Sequence, residues 1–352
     1  MKYEEALEEI VSADLEAVRR SEARWASIAK PLYSLGLLET DVTKIAGMKG
    51  DDYVHLGKKA VIAMCADNGV VEEGVTQTGQ EVTAIVTENM SKDMSSVCQM
   101  AKIAGADMFP VDIGVYRPVV GDRILQKCVR RCTANITKGP AMTPEEAKQA
   151  IETGIDLVGE LKERGYGIFA TGEMGIGNTT TSSAVVSVLL DQPVEAMTGR
   201  GAGLSTEGYQ KKINAIKKAI EVNRPDPDDA FDVLWKIGGL DIAGLVGVFF
   251  GGAVHHVPVV IDGFISGAAA LIAQRIRPET KDYMLGSHIS REPAGRLLIG
   301  ELGVDTVIDA GMCLGEGTGA VAFFPILDMA LAVYHNMTTF EATKIEAYVP
   351  QK

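Results

Sequence analysis

Two periods govern where apolar side chains fall along this chain. Short unbroken runs, Lys59-Ala-Val-Ile-Ala-Met-Cys65, Asp107-Met-Phe-Pro-Val-Asp-Ile-Gly114, Tyr166-Gly-Ile-Phe-Ala170 and Pro258-Val-Val-Ile-Asp262-Gly263-Phe264, read as strands buried on both faces. Between them the spacing is helical. Leu7, Ile10, Val11, Leu15, Val18 and Trp25 predict one amphipathic helix over 3–29, ended by Pro31. Residues 83–104 predict another. Thr143-Pro144-Glu145-Glu146 is a helix start with a cap, an early proline and acidic first-turn residues, and that helix runs toward Arg164. Further helices are expected from Ala184, near Lys211 and Lys212, over 242–253, over 266–276 before Pro278, and over 322–335. Residues 307–312 read as a strand or the approach to a helix, 223–229 and 283–291 as loops, and His255 and His256 as core or packing residues within an apolar run.

Strand, glycine-rich turn and helix recur about six times. The expected class is therefore α/β, an open, mostly parallel, doubly wound (Rossmann-like) sheet with its site along the strand C-termini. The 3–29 helix precedes the first strand, belongs to no strand–helix–strand unit, and predicts a small helical domain or a subunit contact.

The glycine-rich turns are where chemistry is expected. Gly172-Glu-Met-Gly175-Ile-Gly177-Asn178-Thr-Thr-Thr-Ser-Ser183 joins a strand to a helix start crowded with hydroxyls, a backbone suited to an anion. A plain tight turn fits the pattern equally well, and the spacing is not that of a P-loop. Glu173 would repel phosphate, so it should face a hydroxyl or a lysine. Gly199-Arg200-Gly201-Ala-Gly203 forms a second such loop. Glu316, between Gly315 and Gly317, is expected to be partly desolvated and so shifted toward the range of a general base, or else to be a helix-start residue interacting with the dipole.

Composition narrows the field. With 352 residues and 46% hydrophobic content the chain can bury a large core, and 38 glycines against 6% aromatics suit many tight strand-to-helix turns. The net charge of −13 argues against nucleic acid or an anionic membrane as partner. Five scattered cysteines without metal spacing predict neither a zinc site nor a disulfide framework. An acidic N-terminus unlike a signal peptide and a glycine-broken run near 242–254, too short to span a bilayer, add to a cytoplasmic expectation. No metal or cofactor is expected.

Several motifs carry a family resemblance: Cys65-Ala-Asp-Asn-Gly-Val70, Thr133-Ala-Asn-Ile together with Gly139-Pro-Ala-Met142, Gly172 to Thr180, Ile261-Asp-Gly-Phe-Ile-Ser266 and Leu314-Gly-Glu-Gly-Thr-Gly319. In this order they resemble the nicotinate-nucleotide:dimethylbenzimidazole phosphoribosyltransferases. The resemblance implies transfer of 5-phosphoribosyl from nicotinate mononucleotide to an aromatic base, for the lower-ligand nucleotide of cobamides, with inversion at the anomeric carbon. It implies a small helical domain from both chain ends (1–35 with roughly 320–352), a large α/β domain over 36–319, and a dimer. Carried over, Glu316 is the base, with Glu173 and Lys212 as supporting groups. Gly175, Gly177, Asn178, Thr179, Thr180, Gly201, Gly203 and Ser290 surround the nucleotide, with Asp262, Phe264 and Leu314 beside them; Thr78 and Val86 lie toward the acceptor.

The chain departs from the family's usual pattern at Asn68 (commonly His), Cys132 (commonly Gly), the 76–79 segment and Val86 (often Gln). Of these, the 76–79 segment and Val86 fall where the family meets its acceptor base. They raise a phenolic acceptor, a heterodimer with a paralogue in place of a homodimer, or a non-catalytic paralogous subunit as alternatives. A dinucleotide-dependent oxidoreductase would need a Gly-x-Gly-x-x-Gly after the first strand, where Ala66-Asp67-Asn68-Gly69 stands instead.

Overall fold

The computed structural model describes residues 1–348. Six strands, β1 (Lys58–Ala66), β2 (Ala106–Gly114), β3 (Leu125–Gln126), β4 (Tyr166–Met174), β5 (Val259–Ile261) and β6 (Met284–Gly286), form one sheet. Their order is β3-β2-β1-β4-β5-β6 and every pairing is parallel, as in a doubly wound fold. Sequence order reverses between β1 and β4, so the crevice at their C-terminal ends is the expected binding position. β4 runs further than its apolar core predicted: it extends to Met174 and carries Glu173 at its edge, opposite Met64 of β1.

The leading helical stretch is two helices, α1 (Tyr3–Glu9) and α2 (Leu15–Ser27), where one was expected. Asp14 caps the second by accepting from the N–H groups of Glu16 and Ala17, and Val11 and Leu15 are exposed, so they add nothing to a continuous apolar face. α2 also stops short of Pro31, because Ile28 leaves the helix to bridge Thr339. α2 packs on α3 (Leu37–Lys49), and its Trp25 ring lies 4.9 Å from that of Tyr334 near the other end of the chain.

The expected helix over 83–104 is likewise split, into α4 (Glu81–Ser91) and α5 (Ser96–Ala104). Asp93 turns left-handed and Ser95 caps α5, its hydroxyl accepting from Cys98 N–H. α6 (Pro144–Glu163) starts as predicted, with a reciprocal capping box between Thr143 and Glu146. α7 (Asn178–Leu189) takes in the whole hydroxyl run and begins six residues before Ala184. After α8 (Val194–Met197) and α9 (Thr206–Asn223) comes α10 (Ala230–Ile237), which the sequence reading missed. α11 (Leu240–Val254), α12 (Phe264–Ile276), α13 (Gly295–Leu302), α14 (Thr318–Asn336) and α15 (Phe340–Thr343) follow.

Two more expectations are corrected. Residues 307–312 form no strand; they contribute only the bridge between Ile308 and His288, and the strand at the sheet edge is β6, within the expected loop. His255 and His256 lie past the end of α11 and outside the core: His255 packs half-buried against Gly159, and His256 is exposed and bonds Tyr283.

α11 rests on β1, β2 and β4 and packs closely along α6. Glycines make that approach possible. A Cβ on Gly154 would stand 2.7 Å from the Gly247 carbonyl carbon, and one on Gly251 would stand 2.8 Å from Val158 Cβ. α4, α5 and α14 pack on strands of the same sheet.

Candidate active site

A cleft of about 340 Å³ opens over the C-terminal ends of β4, β5 and β6. The turn leading into α7 forms one wall. Gly177 is the N-cap of α7, left-handed at φ 95°, and no side chain caps the helix. Asn178 N–H donates to the Gly175 carbonyl and Thr180 N–H to the Gly177 carbonyl, no carboxylate among the described residues meets the first turn, and the dipole there favours an anion. Lys212 reaches in from α9. Its ammonium is buried and donates to Thr179 Oγ1 at 2.8 Å and to the Gly199 carbonyl at 3.2 Å. Burial pulls its pKa down to about 8, and Glu292 opposes that shift. Arg200 stands at the rim with its guanidinium over the Tyr209 ring.

The opposite wall is the turn 315–317. Gly315, Glu316 and Gly317 have φ of 86°, 63° and 99°, three left-handed residues in succession. The Glu316 carboxylate accepts from Val97 N–H at the start of α5, at 3.2 Å. Burial raises its pKa, and that hydrogen bond holds the rise in check.

Glu173 lies between the walls at the end of β4. It faces neither the hydroxyl nor the lysine that were expected. The Asn178 amide donates to one oxygen, and the backbone N–H of Glu316 also supports the carboxylate. Burial, then the nearby carboxylates of Asp241 and Asp262, push its pKa up to about 8. Near neutral pH Glu173 is therefore mostly a neutral acid, which removes the repulsion toward phosphate that its charge would cause.

Gly175, Gly177, Asn178, Thr179, Gly201, Asp262, Phe264, Ser290, Leu314, Thr78 and Val86 all line this cleft with Glu173, Lys212 and Glu316. Thr180 does not; it is fully buried behind the turn, and Gly203 stands outside, its carbonyl accepting from the Gln77 amide. Among the departures from the family pattern, Cys132 is left-handed at φ 62°, a conformation that favours glycine, and its sulfur accepts from Gln80 Nε2 at 3.0 Å. Asn68 is buried beside Asp241.

Sequence reasoning missed His288, Glu292 and Asp241. His288 lines the cleft, buried, with Nδ1 3.2 Å from Ser287 Oγ. Asp241, in the first turn of α11, is fully buried under the Gly175 turn with its pKa pushed up to about 7 by burial. An Asp two residues after a glycine pair at a helix start was the available signal, yet it reads the same as an ordinary first-turn acidic residue.

Comparison with known proteins identifies the family. The sequence profile of a phosphoribosyltransferase family matches residues 10–345. The chain is 49% identical over 343 residues to the nicotinate-nucleotide–dimethylbenzimidazole phosphoribosyltransferase of Acetivibrio thermocellus, covering 97% of each protein. It is 46% identical over 350 residues to the enzyme of that name from Ruminiclostridium cellulolyticum, covering 99% of each. The crystal structure of CobT from Thermus thermophilus superposes with a TM-score of 0.90 at 35% identity, over 95% of this chain and 100% of that one. These matches give no support to the phenolic acceptor raised by the departures at 76–79 and Val86. The fold, the paired glycine turns and near full-length identity lead to one conclusion: this chain is a phosphoribosyltransferase of the nicotinate-nucleotide–dimethylbenzimidazole family.

Proposed function

We propose that the chain transfers 5-phosphoribosyl from nicotinate mononucleotide to 5,6-dimethylbenzimidazole, with Glu316 as the general base. The observation that carries this reading is the facing of two walls across one cleft: an uncapped helix start with Lys212 on one side, a half-buried carboxylate of raised pKa on the other. The phosphate and ribose sit against the α7 turn and the 199–203 loop, within reach of Lys212 and Ser290. The acceptor lies between Glu316 and the apolar surface of Val86, Leu314 and Val75.

The chemistry follows from the charges. The bond from C1′ to the nicotinate nitrogen already has a cationic leaving group, so the electron pair departs with nicotinate and no proton is needed there. An acceptor nitrogen attacks C1′ from the opposite face, which inverts the anomeric centre, and the Glu316 carboxylate takes the proton the acceptor loses. Holding both reactants in line contributes several kcal/mol; a positioned base adds roughly 10²–10⁴-fold. Glu173, held as a neutral acid, keeps the backbone of Glu316 in place and leaves the donor's negative charge unopposed.

Incubation with nicotinate mononucleotide and a panel of benzimidazoles and purines tests this reading. Nicotinate should be released in step with an α-configured nucleotide of dimethylbenzimidazole; a β product, or no acceptor-dependent release, would reject it. We also read the chain as a cytoplasmic homodimer whose two ends form one helical unit around Trp25 and Tyr334. Support comes from five unpaired cysteines, from that ring contact, and from Val11 and Leu15, which are exposed near the start of α2. A fully active monomer at micromolar concentration in light scattering would reject the dimer.

A further inference from the structure

Three backbone N–H groups converge on Asp262. Its Oδ1 accepts from Gly319 at 2.6 Å and Ala320 at 3.1 Å, and its Oδ2 accepts from Gly317 at 3.2 Å. These are donors that the first turn of a helix leaves unpaired, and Gly317, the N-cap of α14, has no side chain to meet them. The cap comes instead from the end of β5, more than fifty residues earlier.

Asp262 is itself held firmly. Its own N–H is directed at Thr171 Oγ1 (3.2 Å) and Ser266 Oγ (3.3 Å), and its carbonyl accepts from Ser287 Oγ at 3.1 Å. The residue is 3% exposed. The resemblance places Asp262 beside the nucleotide, but its two carboxylate oxygens are committed to the helix start.

What Asp262 fastens is the turn that carries Glu316. A left-handed backbone is disfavoured for any residue with a Cβ, and here it is imposed on Glu316 between two left-handed glycines. Such a conformation persists only where the surroundings over-determine it. β4 supplies one constraint: Gly172 packs so closely on the Glu316 carbonyl that a Cβ there would overlap it. Glu173 and the Val97 N–H hold Glu316 itself, and Asp262 holds the backbone directly C-terminal to it.

We propose that Asp262 is the positioning residue of Glu316: by anchoring Gly317, Gly319 and Ala320, its carboxylate fixes where the Glu316 carboxylate stands over the acceptor. This rests on the reading of Glu316 as the general base. Asp262 touches no reacting atom; it acts through the turn.

A double-mutant cycle tests it, using single-turnover rates at saturating substrates and the Kd for nicotinate mononucleotide by calorimetry. Glu316→Gln alone decides the underlying reading: if it keeps wild-type turnover, Glu316 is not the base, and the proposal falls with it. Given a loss there, Asp262→Asn should lower kcat about 10–100-fold, the scale of roughly 1 Å of misplacement, and leave Kd within about threefold. In the Glu316→Gln background the same change should cost less than about threefold more, because an absent base cannot be displaced further. Multiplying losses, or a weakened Kd with kcat intact, would overturn the proposal and make Asp262 an independent group or a nucleotide ligand. Should Asp262→Asn not fold, Gly317→Ala loosens the same anchor from the other end. A folded Gly317→Ala with wild-type kcat would overturn the proposal; a matching loss, absent in the Glu316→Gln background, would support it.

Discussion

The starts of α7 and α14 are built alike and used differently. Each follows a glycine-rich turn, each has a left-handed glycine as N-cap (Gly177 and Gly317), and neither glycine offers a side chain to the first-turn N–H groups. At α14 those groups are filled from within by Asp262. At α7 no protein carboxylate fills them, and the turn faces the cleft. The same local design is thus closed by an internal carboxylate in one place and left facing the cleft in the other. The difference lies in what a distant strand brings to it.

Each wall should therefore answer to a different kinetic constant. The largest effect is expected at the filled turn: Glu316→Gln should lower kcat by roughly 10²–10⁴-fold while calorimetry still shows nucleotide binding. At the open turn, Lys212→Met removes a charged hydrogen-bond donor worth about 1.5–3 kcal/mol. It should raise KM for nicotinate mononucleotide roughly 10–100-fold and lower kcat by a smaller factor; the reverse split would erase the distinction between the walls. Val86 sharpens the picture on the acceptor side. An apolar surface there leaves a purine ring nitrogen unpaired at about 1–3 kcal/mol, so dimethylbenzimidazole should beat adenine by at least about tenfold in kcat/KM. Val86→Gln should narrow that gap, and an unchanged ratio would remove Val86 from the acceptor pocket.

The smallest effect concerns stability. Glu173 titrates at about 8 in the folded chain against 4.5 when exposed. Across that window the folded state binds a proton that the unfolded state has released, so stability falls as pH rises through it. Asp241, raised to about 7, and Asp67, raised to about 6, act in the same direction. Glu173→Gln should accordingly raise the melting temperature by ~2 °C or more at pH 8 and give no such gain below pH 4.5. A uniform gain at every pH would mean that Glu173 is ionised in the fold.

Much of this was legible in the sequence because it depends on local pattern. Unbroken apolar runs marked β1, β2, β4 and β5, and Thr143-Pro144 marked the start of α6. Glycine brackets marked both turns of the site. What could not be read depends on partners far away in the chain. Asp14 and Ser95 break predicted helices as caps, yet polar residues at those positions also suit an exposed helix face. β6 has three residues and exists only because β5 lies beside it. The raised pKa of Glu173 comes first from its burial and then from Asp241 and Asp262, which arrive from α11 and the end of β5. His288 gave no sequence signal, since its place in the cleft depends on the sheet edge.

The contact between α6 and α11 has a consequence for motion. Where two helices meet backbone to backbone through Gly154 and Gly247, and Gly251 seats the Val158 side chain directly, little side-chain layer lies between them to slip or re-pack. This half of the sheet's cover should behave as one stiff plate and exchange its amide hydrogens only in the rarest openings of the whole chain. Any breathing that admits a nucleotide then falls to the other side of the molecule, to the 76–79 and 199–203 loops at the mouth of the cleft. Deuterium uptake should appear in those loops within the earliest time points, long before α11 takes up label.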